Sequence, residues 1–566
     1  MPHPMMRPIL ALVVAAFAAH PALAQVDPPE DSGAYLAARV AATESDYASA
    51  ADWYARTLIR DAANPALLEG AIISNIGTGD FATATAMALR LQQLGVKSQE
   101  ANIVLLADQA KRGDFAALLA DAKAGRKIGA LVDGLAAAWA ELGNGRMSEA
   151  LAGFDTLAKA PGLEAFGLYH KALALASVGD FEGADAILSG REAGTLRMMR
   201  RGIIAHAQIL SQLERNPEAL ALLDTAFGTE PDPGIDVLRA GLAGTGPVPY
   251  DVALSATDGL GEVFFTLATA LNGEAEDGYT LIYARVAAWL RPNHTEALLL
   301  AGGLLAQQGQ HDLAVATYAQ IPPDNPAYHV AEIGRSESLY AAGKPEEAIA
   351  VLQALTVSHG DLMSVHLALA DALRREERYA EAALSYDAAI ARVEKPDERH
   401  WPLFYSRGVC FEREKQWAKA EPDFRRALEL SPDQPQVLNY LGYSYLEMNT
   451  NLDEALGMIE RAVAARPDSG YIIDSLAWGL YRLGRYEEAV EPMERASLLE
   501  PVDPVVTDHL GDVYWAVGRK LEAQFQWRRA LSFEPEEKEA IRIRRKLEVG
   551  LDAVLAEESA GGGNGG

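Results

Sequence analysis

The sequence predicts an all-α protein built as a solenoid of repeated helix pairs. Two observations predict this fold: an alanine that recurs about every 34 residues, and apolar side chains spaced for one helical face around each recurrence. In the second half of the chain the steps are 34, 34, 38, 35, 34 and 34 residues, and the ladder consists of Ala314, Ala348, Ala382, Ala420, Ala455, Ala489 and Ala523. A solenoid also suits 566 residues, because each repeat packs only on its neighbours.

Each of the last four ladder alanines begins an apolar stripe that a proline ends. Phe424 and Ala427 follow Ala420 at offsets of four and seven residues, which places all three on one face of a helix. Pro432 then ends that helix, because proline lacks a backbone donor and clashes with the preceding turn. We therefore predict that the ladder alanines lie in the second helix of each pair.

The preceding helix of each pair carries a small residue between large apolar ones. Gly511, between Leu510 and Tyr514, is one example. A small residue lets two helices approach closely while the large ones fill the remaining space. We expect a bulky replacement at Gly511 or Ala489 to overpack the pair, at a cost of about 1–3 kcal/mol.

This combination of positions, held in register through the C-terminal half, resembles the tetratricopeptide repeat (TPR) family. The resemblance implies a right-handed superhelix of antiparallel helix pairs, in which the first helices line a concave face. About fourteen pairs are expected, since a weaker ladder extends upstream. Its members are Ala50, Ala84, Leu118, Ala150, Ala184, Ala219 and Thr280.

These patterns divide the chain into segments. We expect degenerate repeats over 25–230, a C-terminal TPR array over 261–535, a capping helix over 536–557 and a flexible tail over 558–566. In the degenerate repeats, Gly79, Gly113 and Gly179 each precede Asp-Phe and fit turns that need a left-handed backbone.

The segment 231–260 interrupts the ladder. The step from Ala219 to Thr280 is 61 residues, and the intervening sequence is rich in proline and glycine, which is typical of loops. One irregular helix, Ile235–Leu242, fits within it. Two interpretations stay open: a hinge between two superhelical arms, or one eroded repeat.

Residues 1–24 have the pattern of a cleavable signal peptide. Arg7 precedes an apolar run, and Ala22-Leu23-Ala24 fits the small-x-small cleavage site. We expect cleavage after Ala24 and a periplasmic protein. The alternative, a membrane anchor, is disfavoured because the apolar run is short. The site has no lipobox cysteine, and no other apolar stretch predicts a transmembrane helix.

Catalytic and metal-binding patterns were sought without success. His-Glu-x-x-His, a Walker loop and Gly-x-Ser-x-Gly do not occur. Cys410 is the sole cysteine, which excludes a thiolate cluster for a metal. The net charge of −29 disfavours nucleic acid as a partner. We therefore expect no catalytic site, no cofactor and no metal.

The first helices of the C-terminal repeats present aromatic, Arg, Asn, Asp and His side chains at the positions that the family exposes on its concave face. This composition is typical of binding hot spots. Packing between repeats is the alternative for Tyr440 and Trp478. The predicted partner-binding residues are Tyr405, Arg413, Asn439, Tyr443, Tyr471, Asp474, Trp478, Tyr481, Arg482, Asp508, His509, Asp512 and Trp515.

The stretch from Leu441 to Leu531, which includes Tyr471-Ile472-Ile473-Asp474 and Asp508-His509-Leu510-Gly511-Asp512, resembles LbcA-like envelope TPR adaptors. The resemblance implies a non-enzymatic scaffold that winds around a carboxyl-terminal processing serine protease and delivers cell-wall hydrolases to it. Those adaptors are lipid-anchored, whereas this chain shows no lipobox. The alternative is a scaffold for outer-membrane or cell-wall assembly without a protease partner.

Overall fold

The computed structural model describes residues 31–191, 196, 198–228 and 231–561. The predicted signal peptide, its cleavage site and the last five residues of the predicted tail lie outside this range. Every regular element in the described part is helical, with 31 α-helices and the short 3₁₀ helix Glu398–His400. None of these helices is both long enough and apolar enough to cross a bilayer.

The chain forms two compact units, which divide between Leu355 and Thr356. The first half of the first unit contains α1 (Asp31–Thr43), α2 (Tyr47–Leu58), α3 (Pro65–Thr78), α4 (Phe81–Gln93), α5 (Gln99–Lys111), α6 (Phe115–Lys123), α7 (Ala130–Gly143), α8 (Met147–Ala158), α9 (Glu164–Ser177) and α10 (Phe181–Leu188). Its second half contains α11 (Arg200–Gln212), α12 (Asn216–Phe227), α13 (Pro233–Leu242), α14 (Ala256–Leu271), α15 (Asp277–Leu290), α16 (Thr295–Gln307), α17 (His311–Tyr318) and α18 (Tyr328–Ala341).

The division falls within α19 (Pro345–Ser358). The second unit then contains α20 (Met363–Arg375), α21 (Tyr379–Ile390), α22 (Trp401–Arg413), α23 (Trp417–Leu430), α24 (Pro435–Glu447) and α25 (Leu452–Ala465). It ends with α26 (Gly470–Arg482), α27 (Tyr486–Leu499), α28 (Pro504–Ala516), α29 (Lys520–Leu531), α30 (Glu537–Val549) and α31 (Leu551–Gly561).

Consecutive helices pack as pairs. Six pairs run from α1/α2 to α11/α12, and eight run from α14/α15 to α28/α29, which gives fourteen among the described residues. Helix α13 lies between the two series, and α30 with α31 follows the last pair. The predicted all-α solenoid of about fourteen TPR-type pairs is confirmed.

The recurring small residue occupies an equivalent place in every pair. It is the fourth residue of the second helix in all fourteen pairs, from Ala50 in α2 to Ala523 in α29. Each of these side chains is buried, and even the largest, Leu118, is only 3% exposed. The prediction that the ladder marks the second helix is therefore confirmed.

Small residues in the first helices receive large side chains from the second. A Cβ at Gly408 would lie 2.9 Å from the Phe424 ring. A Cβ at Gly511 would lie 2.4 Å from Nε1 of Trp527, whose side chain is fully buried. Because real Cβ contacts are longer than this, only glycine allows the two helices to lie this close.

The turns within the degenerate pairs use the predicted glycines. Gly79, Gly113 and Gly179 have φ angles of 86°, 71° and 87°, in the left-handed region. The aspartate that follows each one caps the second helix, as Asp80 does by accepting a hydrogen bond from the backbone N–H of Thr83 at 3.0 Å. Glycine and cap together end one helix and begin the next.

The proline- and glycine-rich segment contains one helix and an extended strap. Helix α13 begins two residues before the predicted start and packs on α11 and α12 through Ile235, Leu238 and Leu242. The strap 243–255 is bonded on both sides: Gln212 Nε2 donates to the Val248 carbonyl at 2.6 Å. Arg291, at the end of α15, donates to the Asp251 carbonyl at 2.6 Å. These bonds hold the strap against α11 and α15, and the division between the two compact units falls elsewhere, at 355/356.

The pair α14/α15 packs against the first helices α3, α5, α7 and α9 of the N-terminal pairs. Thr257 Oγ1 donates to the Ala110 carbonyl at 2.8 Å, and Arg285 Nη2 donates to the Gly77 carbonyl at 2.9 Å. Trp289 stacks on Phe81 with ring centroids 4.5 Å apart. The chain thus covers the first-helix face of its own N-terminal repeats, which the sequence analysis did not predict.

The predicted capping helix 536–557 is not continuous. Gly550, with a φ of 87°, separates α30 from α31, and a Cβ there would lie 2.7 Å from the Trp515 ring. Helix α31 then continues to Gly561, so the first residues of the predicted flexible tail are helical. The left-handed turn lets the chain reverse against Trp515.

We predict that Gly511→Ala lowers the free energy of unfolding by about 1–3 kcal/mol, because the new methyl group meets the buried indole of Trp527. The control is Gly457→Ala in α25, where no atom lies within 4 Å of the added Cβ. That change should raise stability by about 0.5–1 kcal/mol through helix propensity. Urea denaturation followed by circular dichroism measures both, and equal stabilities would contradict the packing described.

A second prediction concerns the covered N-terminal face. Gly259→Ala in α14 places a Cβ 2.3 Å from the buried Trp139 ring of α7, so the pair α14/α15 should loosen from the N-terminal repeats. Hydrogen exchange measured by mass spectrometry should be faster in both α7 and α14. Gly303→Ala in α16, whose nearest atom is 3.8 Å away, is the control. Unchanged exchange in Gly259→Ala would show that the two helices do not pack as described.

Candidate binding groove on the second unit

The second unit has a groove of about 430 Å³ lined mainly by first helices of four successive pairs, α22, α24, α26 and α28. Trp417, which opens α23, and Met448, just after α24, complete the wall. The other lining residues are Glu412, Arg413, Asn439, Tyr440, Tyr443, Ser444, Glu447, Tyr471, Asp474, Ser475, Val505 and His509. These fourteen lining residues together form the surface called the groove.

Six of the thirteen predicted partner-binding residues line the groove: Arg413, Asn439, Tyr443, Tyr471, Asp474 and His509. Tyr471 is 57% exposed, whereas Tyr443 is half-buried. Their position follows from helical geometry, because side chains four residues apart project from the same face. The groove therefore offers a partner both an exposed and a half-buried phenol ring.

The Tyr440 side chain packs against the neighbouring helix pair and also lines the groove. Its hydroxyl donates to Oε2 of Glu412 at 3.0 Å, and its ring lies 5.3 Å from the Phe424 ring of the neighbouring pair. Tyr405, another predicted residue, packs edge-on against Tyr440 at 5.8 Å and does not line the groove. Tyr440 therefore packs between repeats, and ligand contact by the same side chain stays a prediction.

Asn439 carries an unused hydrogen-bond acceptor. Its side-chain oxygen is buried and accepts no hydrogen bond from the described residues. Buried polar atoms are usually paired with protein, ligand or water. An N–H donor that enters the groove can supply the missing bond.

Trp478 supports the groove from behind. Its side chain is 9% exposed, its Nε1 donates to Oε1 of Glu447 at 3.0 Å, and its ring lies between Tyr481 at 4.8 Å and His509 at 4.0 Å. Arg482 lies near the same carboxylate, with 3.6 Å between Nη1 and Oε1. The predicted residues Trp478, Tyr481 and Arg482 therefore support the groove wall and do not line the groove.

A buried ion pair joins two of the predicted residues. Nδ1 of His509 lies 3.0 Å from Oδ1 of Asp474, and both side chains are almost fully buried. Burial alone would lower the pKa of His509, but the negative charges of Asp474, Asp508 and Asp512 outweigh it and raise the pKa. His509 and Asp474 thus form a buried pair at the floor of the groove, in which the carboxylate favours the protonated imidazole.

Asp508 and Asp512 do not line the groove, because α30 covers them. The ammonium of Lys546 is fully buried and contacts all four of their carboxylate oxygens at 2.6–2.9 Å. Trp527 Nε1 also donates to Oδ1 of Asp512 at 2.9 Å. Burial and the charge of Asp512 raise the pKa of Asp508, while Lys546 opposes that shift.

Trp515, the last predicted residue, is also covered. Its Nε1 donates to Oδ2 of Asp552 at 3.0 Å, which ties the end of α28 to α31. The prediction of a capping helix over 536–557 did not include this insertion of Lys546. One signal was present: Lys546 follows the buried Ala540 and Ile543 at helical spacing, so it shares their face.

Several lining residues were not predicted. Glu412 and Glu447 end consecutive first helices and are separated by 35 residues, one repeat. Their periodicity was visible in the sequence, but acidic residues at helix ends are usually solvated. Within the described residues, no group of three or more His, Cys, Asp and Glu side chains is arranged to hold a metal ion.

Comparisons with known proteins agree with this architecture. The family model described as tetratricopeptide repeat matches residues 334–399, 367–435 and 411–470. The chain is 28% identical over 189 residues to the TPR repeat-containing protein PA4667 of Pseudomonas aeruginosa, which covers 33% of this chain. The alignment spans 31%, about a third, of that relative's length.

Among solved structures, the chain matches the hetero-tetramer Cut9–Hcn1 of APC/C at 14% identity with a TM-score of 0.38. That comparison covers 96% of this chain and 99% of the other. Yeast Tom70 gives 12% identity and a TM-score of 0.33, with 94% and 97% covered.

Family matches over residues 334–470 lie within a longer series of helix pairs that share one buried ladder position. The TPR fold is typical of proteins that bind other proteins without catalysing a reaction. The chain thus contains tetratricopeptide repeats over residues 334–470, within a TPR-type series of helix pairs that extends through the described residues.

Proposed function

We propose that this protein is a non-enzymatic periplasmic adaptor that binds a carboxyl-terminal processing serine protease and presents cell-wall hydrolases to it. The groove carries the proposal, since it combines exposed and half-buried tyrosines with the unpaired oxygen of Asn439. The resemblance of residues 441–531 to envelope adaptors supports the class of partner. The signal-peptide pattern of residues 1–24 supports the proposed periplasmic location.

The groove suits recognition because its walls are already ordered. Trp478 is held by a hydrogen bond and by two stacked rings, and Tyr440 is held by Glu412. Side chains fixed before binding lose little conformational freedom on binding. Aromatic residues in such surroundings contribute a large share of the binding free energy at protein interfaces.

First-helix faces in each of the two units are covered by other helices of the chain. In the first unit, the first-helix face of α3, α5, α7 and α9 is occupied by α14/α15. At the C-terminal end, Lys546 and Trp515 close the face of α28. We therefore assign partner binding to the open first helices between these two covered regions.

The assignment predicts that Tyr443→Ala weakens partner binding by about 2 kcal/mol or more, roughly thirtyfold, because the half-buried ring is removed from an ordered wall. Affinity capture from envelope extract with the tagged full-length chain, followed by mass spectrometry, identifies the partner. Calorimetric titration with that partner then measures the loss. Tyr35→Ala is the control, because Tyr35 is 42% exposed in α1, outside the groove.

Capture of a serine protease together with cell-wall hydrolases, lost in Tyr443→Ala and kept in Tyr35→Ala, is the expected result. Capture of outer-membrane assembly proteins would instead support the alternative scaffold function. A capture pattern that Tyr443→Ala leaves unchanged would contradict the groove as the binding site.

A further inference from the structure

We infer, on the basis of the proposed function, that the groove recognises a positively charged segment of its partner, one that inserts Lys or Arg side chains between tyrosine rings and carboxylates. The inference adds a chemical class of ligand to the adaptor role. Three features of the second unit support it: two partly exposed carboxylates in the groove wall, their incomplete neutralisation, and an internal example of the same contact.

Acidic side chains surround the tyrosines of the groove. Glu412, Glu447 and Asp474 belong to its wall. Near Tyr471, the charge of Glu500 raises the pKa of the phenol, with smaller contributions from burial and Asp503. A negative potential that disfavours a phenolate favours a bound cation.

The same negative potential acts on Tyr443, another tyrosine of the groove wall. Burial raises the pKa of Tyr443 first, and the charges of Glu447 and Asp474 raise it further. A cationic side chain near this ring would meet the exposed Glu447 carboxylate and the negative face of the phenol, while Asp474 is buried against His509. Such cation–π contacts are strongest where the cation is partly removed from water.

The arginines of the region leave these carboxylates partly unpaired. Arg413 approaches Glu412 only to 4.0 Å, and Arg482 approaches Glu447 only to 3.6 Å. Both distances exceed a normal charged hydrogen bond. The Glu412 and Glu447 side chains are 35% and 48% exposed, so a partner's cation can reach them.

Lys546 shows how this protein binds a cation on a first helix. Its ammonium lies against Asp508 and Asp512, four residues apart on α28, and 5.7 Å from the centroid of the Trp527 ring. The contact is intramolecular and one repeat beyond Asp474, since Asp508 follows Asp474 by 34 residues. The groove presents the same groups, carboxylates beside aromatic rings, without a lysine from this chain.

Selection of random 12-residue peptides by phage display on the full-length chain tests the inference. Four proteins are compared: wild type, Tyr443→Ala, a Glu412→Gln/Glu447→Gln double variant, and a Glu429→Gln/Glu491→Gln double variant. The last is a charge-matched control, because Glu429 and Glu491 are exposed on the second helices α23 and α27 and do not line the groove.

We expect peptides enriched in Lys and Arg and depleted of Asp and Glu, with the enrichment lost in Tyr443→Ala. A fluorescein-labelled copy of the most enriched peptide should bind the Glu412→Gln/Glu447→Gln protein about three- to tenfold more weakly than wild type by fluorescence polarisation. The charge-matched control should stay within about twofold, and added salt should weaken binding.

If the selected peptides are neutral or acidic and their selection still depends on Tyr443, the inference is overturned while the groove remains the binding site. An equal loss in both double variants would also overturn it, because attraction would then come from the overall charge of −29 and not from the groove. Selection independent of Tyr443 would contradict the proposed function itself.

Discussion

The close approach of two helices within each pair is the constraint on which the rest of the structure depends. Large second-helix side chains such as Phe424 and Trp527 fill space that exists only because Gly408 and Gly511 lack side chains. The ladder residue, four positions into the second helix, is buried in all fourteen described pairs. Since each pair buries its apolar surface locally, the first helices remain free to carry polar and aromatic groups.

The protein uses those first-helix faces in three ways. The pair α14/α15 covers the face of the N-terminal pairs through bonds such as that from Arg285 to the Gly77 carbonyl. Lys546 fills the face of α28. Between them, the groove leaves Tyr443 and Tyr471 open. Where first-helix faces are covered by the chain's own helices, a partner cannot bind, and this restriction is consistent with the proposed adaptor role.

Local patterns predicted the fold well because a repeat makes its main contacts within itself. The ladder, the turn glycines and the helix-ending prolines all reflect neighbours fewer than about 40 residues away. The main contact missed was distant in sequence, since Arg285 meets Gly77 across 208 residues. The contact of Lys546 with Asp508 was missed for another reason, because it comes from a helix that follows the last repeat. Six of the thirteen predicted groove residues line the groove, and the others are covered or support it from behind. Exposure on a first helix could be predicted from the repeat, but a covering helix from elsewhere could not.

Hydroxyl-radical footprinting of the full-length protein, read residue by residue with mass spectrometry, tests this account most directly. Slow oxidation is expected for Phe424, Tyr386 and Trp527, which are fully buried within pairs. Fast oxidation is expected for Tyr471, which is exposed in the groove. Trp478, behind the groove wall, should react slowly as well. Fast oxidation of Phe424 and Trp527, or protection of Tyr471 in the free protein, would contradict both the paired packing and the open groove.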